Sequence, residues 1–490
     1  MGVGRPDAPL TAGVDLGTQS VRMVLLEADG TQAGSGSAPL SSLRSGGVRH
    51  EQDPESWWEA VGDAAGEAMG SVGDRDISGL AICSTSGTIL LADKEGNPVT
   101  SAIMYNDGRA SDEAKWAQEA GEEVWDSLGY RISGSYALPR LIWLLENGYG
   151  DSASLIMHQA DFVTSRLAGE PVTTDWSHAL KTGYDLINDR WPEQVMDRLN
   201  VPIEMLPPAV RPGTRIGEVG KDAAKHTGIP AGTPIHAGMT DSCAAQIAAG
   251  ALEEGRWNSV LGTTLALKGV TRELLKDPSG AVYCHRHPDE GWLPGGASST
   301  GAGIISEIFP DTDLDALNDR AERRGPSSAV VYPLASRGER FPFAEPEAEG
   351  FWVGEPEDET DRFRAVLEGV AFVERLCFTH LKGLGASVSG PVSATGGGAK
   401  SRLWSQIRAD VLGVPVTVPV STEGCVGMAI LARAGEDSVA EAASKMSQTR
   451  WEFEPNGNDG KLTENFEHLA SAFVERGYIS EDLAYRARMS

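Results

Sequence analysis

Asp15-Leu16-Gly17-Thr18 ends an apolar run that starts near Ala12, and it gathers three groups suited to a polyphosphate. The carboxylate can take a hydrated magnesium ion, the glycine lets backbone come close to a phosphate, and the threonine brings a hydroxyl donor. An ordinary hairpin turn uses the same residue types. Gly262-Thr263-Thr264 follows a second apolar run, and two such turns from two domains would grip one polyphosphate between them. Gly396 to Lys400 joins a third apolar run to a helical stretch, where bare backbone and the N–H groups of a helix start suit a nucleotide. Ala399 stands before Lys400, so the loop lacks the Gly-Lys-Ser/Thr of a Walker motif. A plain strand-to-helix connection fits it as well.

Asp241 follows Pro234 to Ala237 and a Gly238-Met239-Thr240 turn, and precedes the small-residue stretch Ser242 to Ala251. Aspartate there reads first as a helix N-cap. The same place at a strand end suits a base that takes the proton of an attacking hydroxyl during phosphoryl transfer. Tyr105 with Asn106-Asp107-Gly108-Arg109 puts an aromatic beside hydrogen-bonding groups, as sugar pockets require, though locally the turn chemistry explains it. Cys284-His285-Arg286-His287 has no further ligand at zinc spacing and is expected to be a surface segment.

The elements that must carry these residues alternate, so the class is α/β. Ala12 to Ala28 reads as strand, turn and strand, with Asp29-Gly30 turning next. Trp57, Trp58, Val61 and Ala65 have helical spacing, and Ile77 to Ile82 and Leu90 to Asp93 read as strands. Asn258 to Val270 repeats the opening pattern, with Leu261-Gly262-Thr263 echoing Leu16-Gly17-Thr18, which puts a domain boundary near Glu253 to Gly255. Val392 to Thr395 reads as a strand and Ser401 to Leu412 as a helix with Leu403, Trp404, Ile407 and Val411 on one face, ended by Gly413 and Pro415. Arg337 to Glu349 is polar and punctuated by proline, and is expected to be a long surface loop.

At 490 residues the chain exceeds one ordinary core, so two large domains are the default. Its 42 basic and 70 acidic side chains give a net charge of −28, a field that repels nucleic acid and anionic membrane. A phosphate-bearing substrate must then be held by local dipoles and a metal. Five scattered cysteines without a C-x-x-C spacing argue against a disulfide framework or a zinc cluster and fit a reducing cytoplasm. No apolar leader and no stretch of about 18 apolar residues is present, so a cytoplasmic protein is expected.

Taken together these stretches resemble the FGGY carbohydrate kinases, nearly end to end. The likeness runs through GVDLGTQSVRMVLLEADG, SAIMYNDGRA, DFVTSRLAGEPVTTDWS, AGMTDSCAAQIAAGA, NSVLGTT, RGERFPF, and TGGGAKSRLWSQIRADVLGVPV with EGCVGMAILA. It implies two ribonuclease-H-like α/β domains of the actin, hexokinase and Hsp70 type with a catalytic cleft between them: a sugar-binding domain over 1–254 and an ATP-binding domain over 255–490. It implies Asp241 as the base and Asp15 beside sugar and Mg²⁺, the metal reached through water. Gly17, Thr18, Gly262, Thr263 and Thr264 would surround the phosphates of ATP, and Gly397, Gly398 and Ala399 would cradle the nucleotide. Tyr105 and Tyr136 would line the sugar pocket.

Xylulose kinases of bacteria carry Met-His-Gly after the third strand, where this chain has Cys83-Ser84-Thr85-Ser86-Gly87-Thr88 and no histidine. TSGTILL, YNDGR and HALKTGYD are similar instead to a plant and cyanobacterial branch resembling D-ribulose kinases, in which Ser86 would bond the ketose. The implied reaction is phosphorylation of a ketopentose at its terminal hydroxyl, D-ribulose first, D-xylulose second, with a polyol such as glycerol a further acceptor. An ATP-switched binding protein of the actin or chaperone type is the rival from another class. Sugar and ATP are the expected partners, without nucleic acid or membrane, and a homodimer is one open arrangement.

Overall fold

The computed structural model describes residues 8–41, 44–457 and 460–489. Strands β1 (Leu10–Leu16), β2 (Ser20–Leu26) and β3 (Gln32–Pro39) form an antiparallel meander. Gly17 closes the first hairpin by donating its N–H to Ser20 O at 3.0 Å. Helix α1 (Pro54–Gly70), capped by Asp53, lies against β2 and β3. It packs closely because Gly36 has no side chain: a Cβ there would stand 2.1 Å from the Ala64 carbonyl oxygen. Strand β4 (Ile77–Ser84) runs parallel to β1 on its other side. After α2 (Ala137–Glu146), α3 (Gln159–Ala168) and α4 (Trp176–Lys181), the strands β5 (Arg215–Glu218) and β6 (Pro234–Thr240) complete the sheet in the order β5-β6-β4-β1-β2-β3. Helix α5 (Asp241–Ala248) follows β6 directly.

The second sheet repeats the plan, as the echo of Leu-Gly-Thr implies. Strands β7 (Trp257–Leu261), β8 (Leu265–Gly269) and β10 (Trp292–Ser298) form the meander, with β9 (Val282–Arg286) at its edge. Strand β11 (Val392–Thr395) lies parallel to β7, and β12 (Val416–Pro419) and β13 (Thr449–Phe453) follow. Helices α6 (Glu359–Gly383) and α7 (Arg402–Leu412) pack together. A fully buried ion pair joins them, Arg408 donating to Glu374 at 2.7 and 2.8 Å, and Ser259 of β7 completes the carboxylate at 2.6 Å. Such a buried pair adds little net stability, because desolvation offsets the attraction, but removing one partner would strand the other. Among the described residues no helix is long and apolar enough to cross a membrane.

The chain forms two compact units, and the first does not end where the second begins. It comprises Met1–Gly250 as far as described, with His285–Glu290 and Ser421–Gln448. The last segment carries α8 (Gly424–Ala434), which packs on β1 and α5 through glycines. A Cβ on Gly427 would come within 2.0 Å of the Ala244 carbonyl oxygen. A linear division after residue 254 therefore parts α8 from the strand and helix that bury it.

Three local readings are corrected. Arg337 to Glu349 is a loop with exposed charges, as expected, but it is anchored: Glu339, Phe341, Phe343 and Ala348 are buried, the two phenylalanines in the core of the second unit. Cys284, His285 and His287 are buried too, the first two within β9. Asp241 is the first helical residue of α5, and Thr240 occupies the cap position.

Candidate active site

Parallel strands end at one edge, and open α/β sheets present ligands there. In the first unit β6, β4 and β1 are neighbours in that order. Asp15 pairs with Cys83, and Thr240 pairs with Ser84 from the opposite side. The edge thus brings together three residues singled out in the sequence: Asp15 at the end of β1, Ser86 just past β4, and Asp241 just past β6. Asp241 is exposed and accepts the N–H of Ser242 at 2.6 Å. Ser86 is half-buried, and its Oγ is enclosed without a hydrogen-bond partner, as is the Thr240 Oγ1. Thr240 is fully buried, so of the two only the half-buried Ser86 is placed to meet a hydroxyl-bearing ligand.

Burial, and then the charge of Asp241, push the Asp15 carboxyl up to about 6. The Cys83 thiol, 3.5 Å from Asp15 Oδ1, and Arg22 act against that rise. Glu423, just before α8, adds to it, and Gly424 faces Cys83 and Asp15 so closely that a Cβ would stand 2.7 Å from the Cys83 sulfur.

The loop after β4 is held from beneath. Thr85 Oγ1 donates to Gln159 Oε1 at 2.7 Å and meets Thr88 Oγ1 at 2.7 Å, and Thr88 Oγ1 accepts the N–H of Tyr105 at 3.2 Å. Arg140, almost fully buried, bonds the carbonyls of Gly87, Tyr136, Tyr105 and Asp107, so the segments carrying Ser86, Tyr105 and Tyr136 meet at one guanidinium. Burial lowers it to about 10. Tyr105 keeps an exposed ring, whereas Tyr136 is buried, 5.5 Å from Tyr130 and under Lys181. Asp107 and Arg109 are more than a turn: with Glu51 they form a buried ion cluster at 2.8 and 2.9 Å.

The second unit gathers the nucleotide candidates in the same way. Gly262 to Thr264 turn between β7 and β8, Gly262 donating to Thr264 O at 3.0 Å. The 3₁₀ turn Gly397–Lys400 follows β11, the parallel neighbour of β7. The two turns touch through backbone: a Cβ on Gly396 would be 2.7 Å from Leu261 O, and one on Gly398 would be 2.5 Å from the Leu261 side chain. Gly397 remains open. Gly17 and Thr18 lie at the corresponding hairpin of the first unit, where Thr18 O accepts from Gln52 at 2.8 Å. Glu339 supports the Gly262 turn indirectly. It accepts from Ser298 Oγ at 2.8 Å, Ser299 N at 2.6 Å and Tyr332 OH at 2.9 Å, fixing the segment whose Ala302 N–H reaches Gly262 O at 2.8 Å.

Sequence reasoning passed over the buried pair Asp175–His178 behind the first edge, although Asp-Trp-Ser-His carries a helix-cap signature that points to Asp175. A cavity of about 900 Å³ in the same unit is lined by Glu123, Tyr184, Asp185, Arg190, Trp191 and Glu193, among others, and by none of the expected site residues.

Comparison with known proteins gives the arrangement a family. The autoinducer-2 kinase of Klebsiella pneumoniae is 29% identical over 92% of this chain and 90% of its own length. The xylulose kinase of Staphylococcus epidermidis is 24% identical over 95% and 96%. The fold matches the crystal structure of a xylulose kinase from Rhodospirillum rubrum with a TM-score of 0.85, at 23% identity, covering 96% of this chain and 99% of that one. Residues 10–248 match the N-terminal domain model of the FGGY family of carbohydrate kinases and residues 258–435 its C-terminal domain model, so the two repeated sheets, each with its glycine hairpin, belong to a member of that family.

Proposed function

We propose that this chain transfers the γ-phosphoryl group of ATP to the terminal hydroxyl of an open-chain ketopentose, D-ribulose ahead of D-xylulose, giving the 5-phosphate and ADP. The observation that carries the reading is the edge of β1, β4 and β6, with Asp15 and Asp241 at the ends of the strands flanking a Ser86 hydroxyl that no group among the described residues satisfies. Asp241 takes the proton of the acceptor hydroxyl as that oxygen bonds to the γ-phosphorus. The bond from phosphorus to the β,γ-bridging oxygen breaks, and ADP leaves with the electron pair. Asp241 suits the role because it is exposed, at the head of a helix that favours its ionised form.

Magnesium bound to the polyphosphate would neutralise charge. Asp15 would hold it through water, a donor set that magnesium takes, since it is bound by one or two carboxylates with phosphates rather than in a protein cage. Among the described residues no group of three His, Cys, Asp or Glu side chains forms such a cage. Gly262, Thr263 and Thr264 bring backbone and hydroxyls to the phosphates, and Gly397, Gly398 and Ala399 take the nucleotide.

Ser86, in place of the histidine that bacterial xylulose kinases carry there, favours D-ribulose. The relatives named xylulose kinase keep D-xylulose second. ADP release with Mg·ATP is to be measured against D-ribulose, D-xylulose, L-ribulose, ribitol, glycerol, autoinducer-2 and no acceptor. A D-ribulose preference that Asp241→Asn lowers by about 10²–10⁴-fold, with ATP binding retained, supports the reading. No acceptor-dependent release from any ketose sinks it.

A further inference from the structure

Asp175 caps α4 and anchors a buried network that the transfer scheme leaves unused. Its Oδ1 accepts Ser177 N at 2.8 Å and Ser177 Oγ at 2.6 Å, and its Oδ2 meets His178 Nδ1 at 2.5 Å. Two arms leave this carboxylate. Ser177 Oγ accepts the N–H of Thr240 at 2.8 Å, one residue before Asp241. His178 Nε2 meets Ser84 Oγ at 2.9 Å, at the end of β4 and two residues before Ser86. Ser84, His178 and Asp175 stand in the order of a nucleophilic triad, but Ser84 and His178 are 0% exposed, so no substrate reaches the hydroxyl. The set acts on the edge itself.

We propose that Asp175, Ser177 and His178 are positioning residues for the transfer set out above, on which this inference rests: one buried carboxylate fixes both the Thr240–Asp241 junction and the start of the acceptor loop. Base and acceptor are then held in one frame, as near-attack geometry demands. The network also has an electrostatic side. His178 faces Asp175 and Asp241, with Asp161 and His158 beside it, the two imidazole centroids 5.5 Å apart. Burial works against its charge, and the carboxylates, Asp175 foremost, outweigh burial and hold it above the ordinary histidine value. By reciprocity the imidazolium favours the ionised form of Asp241, while the neighbouring Asp15 carboxylate opposes it.

The test uses the full chain with Ser177→Ala, Ser177→Thr, Asp175→Asn and His178→Gln, in steady-state kinetics with the best ketose from pH 5.5 to 8.5. Hydrogen exchange at the Thr240 amide and the ¹⁵N titration of His178 are read alongside. Ser177→Ala is expected to lower kcat by about 10- to 100-fold with KM for Mg·ATP unchanged and to speed exchange at Thr240. Ser177→Thr restores both, and Asp175→Asn costs at least as much as Ser177→Ala. His178→Gln moves the acidic limb of kcat to higher pH, and Asp241→Asn moves the His178 titration to lower pH. Wild-type kcat and exchange in Ser177→Ala, a His178 titration indifferent to Asp241→Asn, or a loss of melting temperature that Ser177→Thr fails to restore overturns the proposal. If the unaltered protein phosphorylates no ketose, the proposed function falls, while exchange and titration still decide the positioning.

Discussion

Gly13 of β1 and Cys425 of α8 stand backbone against backbone: a Cβ on Gly13 would lie 1.9 Å from the Cys425 carbonyl oxygen and 2.4 Å from Ala429 N. Asp15 is two residues further along the strand, so the seat of α8 and the placement of that carboxylate are one problem. Gly13→Ala must push α8 away, at about 1–3 kcal/mol of overpacking. Lower denaturant midpoints with reduced ketose turnover are the expected outcome. Unchanged values for both would show that α8 yields freely.

Asp15 sits under strain of a different kind. Its folded value, about 6, lies above the ordinary carboxylate value of 3.8, so the native state holds the proton more tightly than the unfolded chain. Stability therefore falls as pH rises from about 4 through 6, and above that the carboxylate costs on the order of 3 kcal/mol. Asp15→Asn should melt higher than the unaltered protein at pH 7.5, lose that advantage near pH 4, and lose activity throughout. Melting curves across this range decide it.

Ser86→Ala removes a hydroxyl that the protein alone does not satisfy, so folding should lose nothing and gain slightly. Catalysis should suffer. The expected loss is roughly 3- to 10-fold in kcat/KM for the ketose, the worth of one hydrogen bond, with KM for ATP unchanged. Paired melting and kinetic measurements separate the two effects.

Gly396 has φ of 82° and ψ of −176°, a conformation that L residues avoid, and its Cα faces Leu261 O. Gly396→Ala should displace the turn Gly397–Lys400 from the Gly262 hairpin. A KM for Mg·ATP raised by about tenfold or more, against an unchanged affinity for the ketose, is expected. Equilibrium binding of each ligand alone checks it.

Much of this is legible in the sequence where chemistry is local. The glycine hairpins at Gly17 and Gly262, the strand Val392–Thr395 and the helix Arg402–Leu412 follow from period and punctuation, and the Leu-Gly-Thr echo marks a real structural repeat. Distant partners are not legible. Arg337 to Glu349 reads as surface because its charges are visible and their partners are not: Glu339 is buried because Ser298 and Tyr332 meet it. The histidines of Cys284 to His287 misled for the same reason. Nothing near Asp15 announces that a helix from Gly424 onward will cover it. Asp241 passes for a cap until the register of β6 against β4 sets Thr240 opposite Ser84 and so puts Asp241 at the same edge as Ser86.

That covering helix also sets a timetable. A ribosome releases residues in order, and at about 5–20 residues per second the stretch from Gly250 to Gln448 takes roughly 10–40 s to make. Throughout that interval the nascent first unit has its sheet but not α8, so the notch at Gly13 and the apolar flank of β1 stay uncovered. A chain cut short before Gly424 carries every strand of the first sheet but leaves the flank of β1 at Gly13 without the helix that covers it.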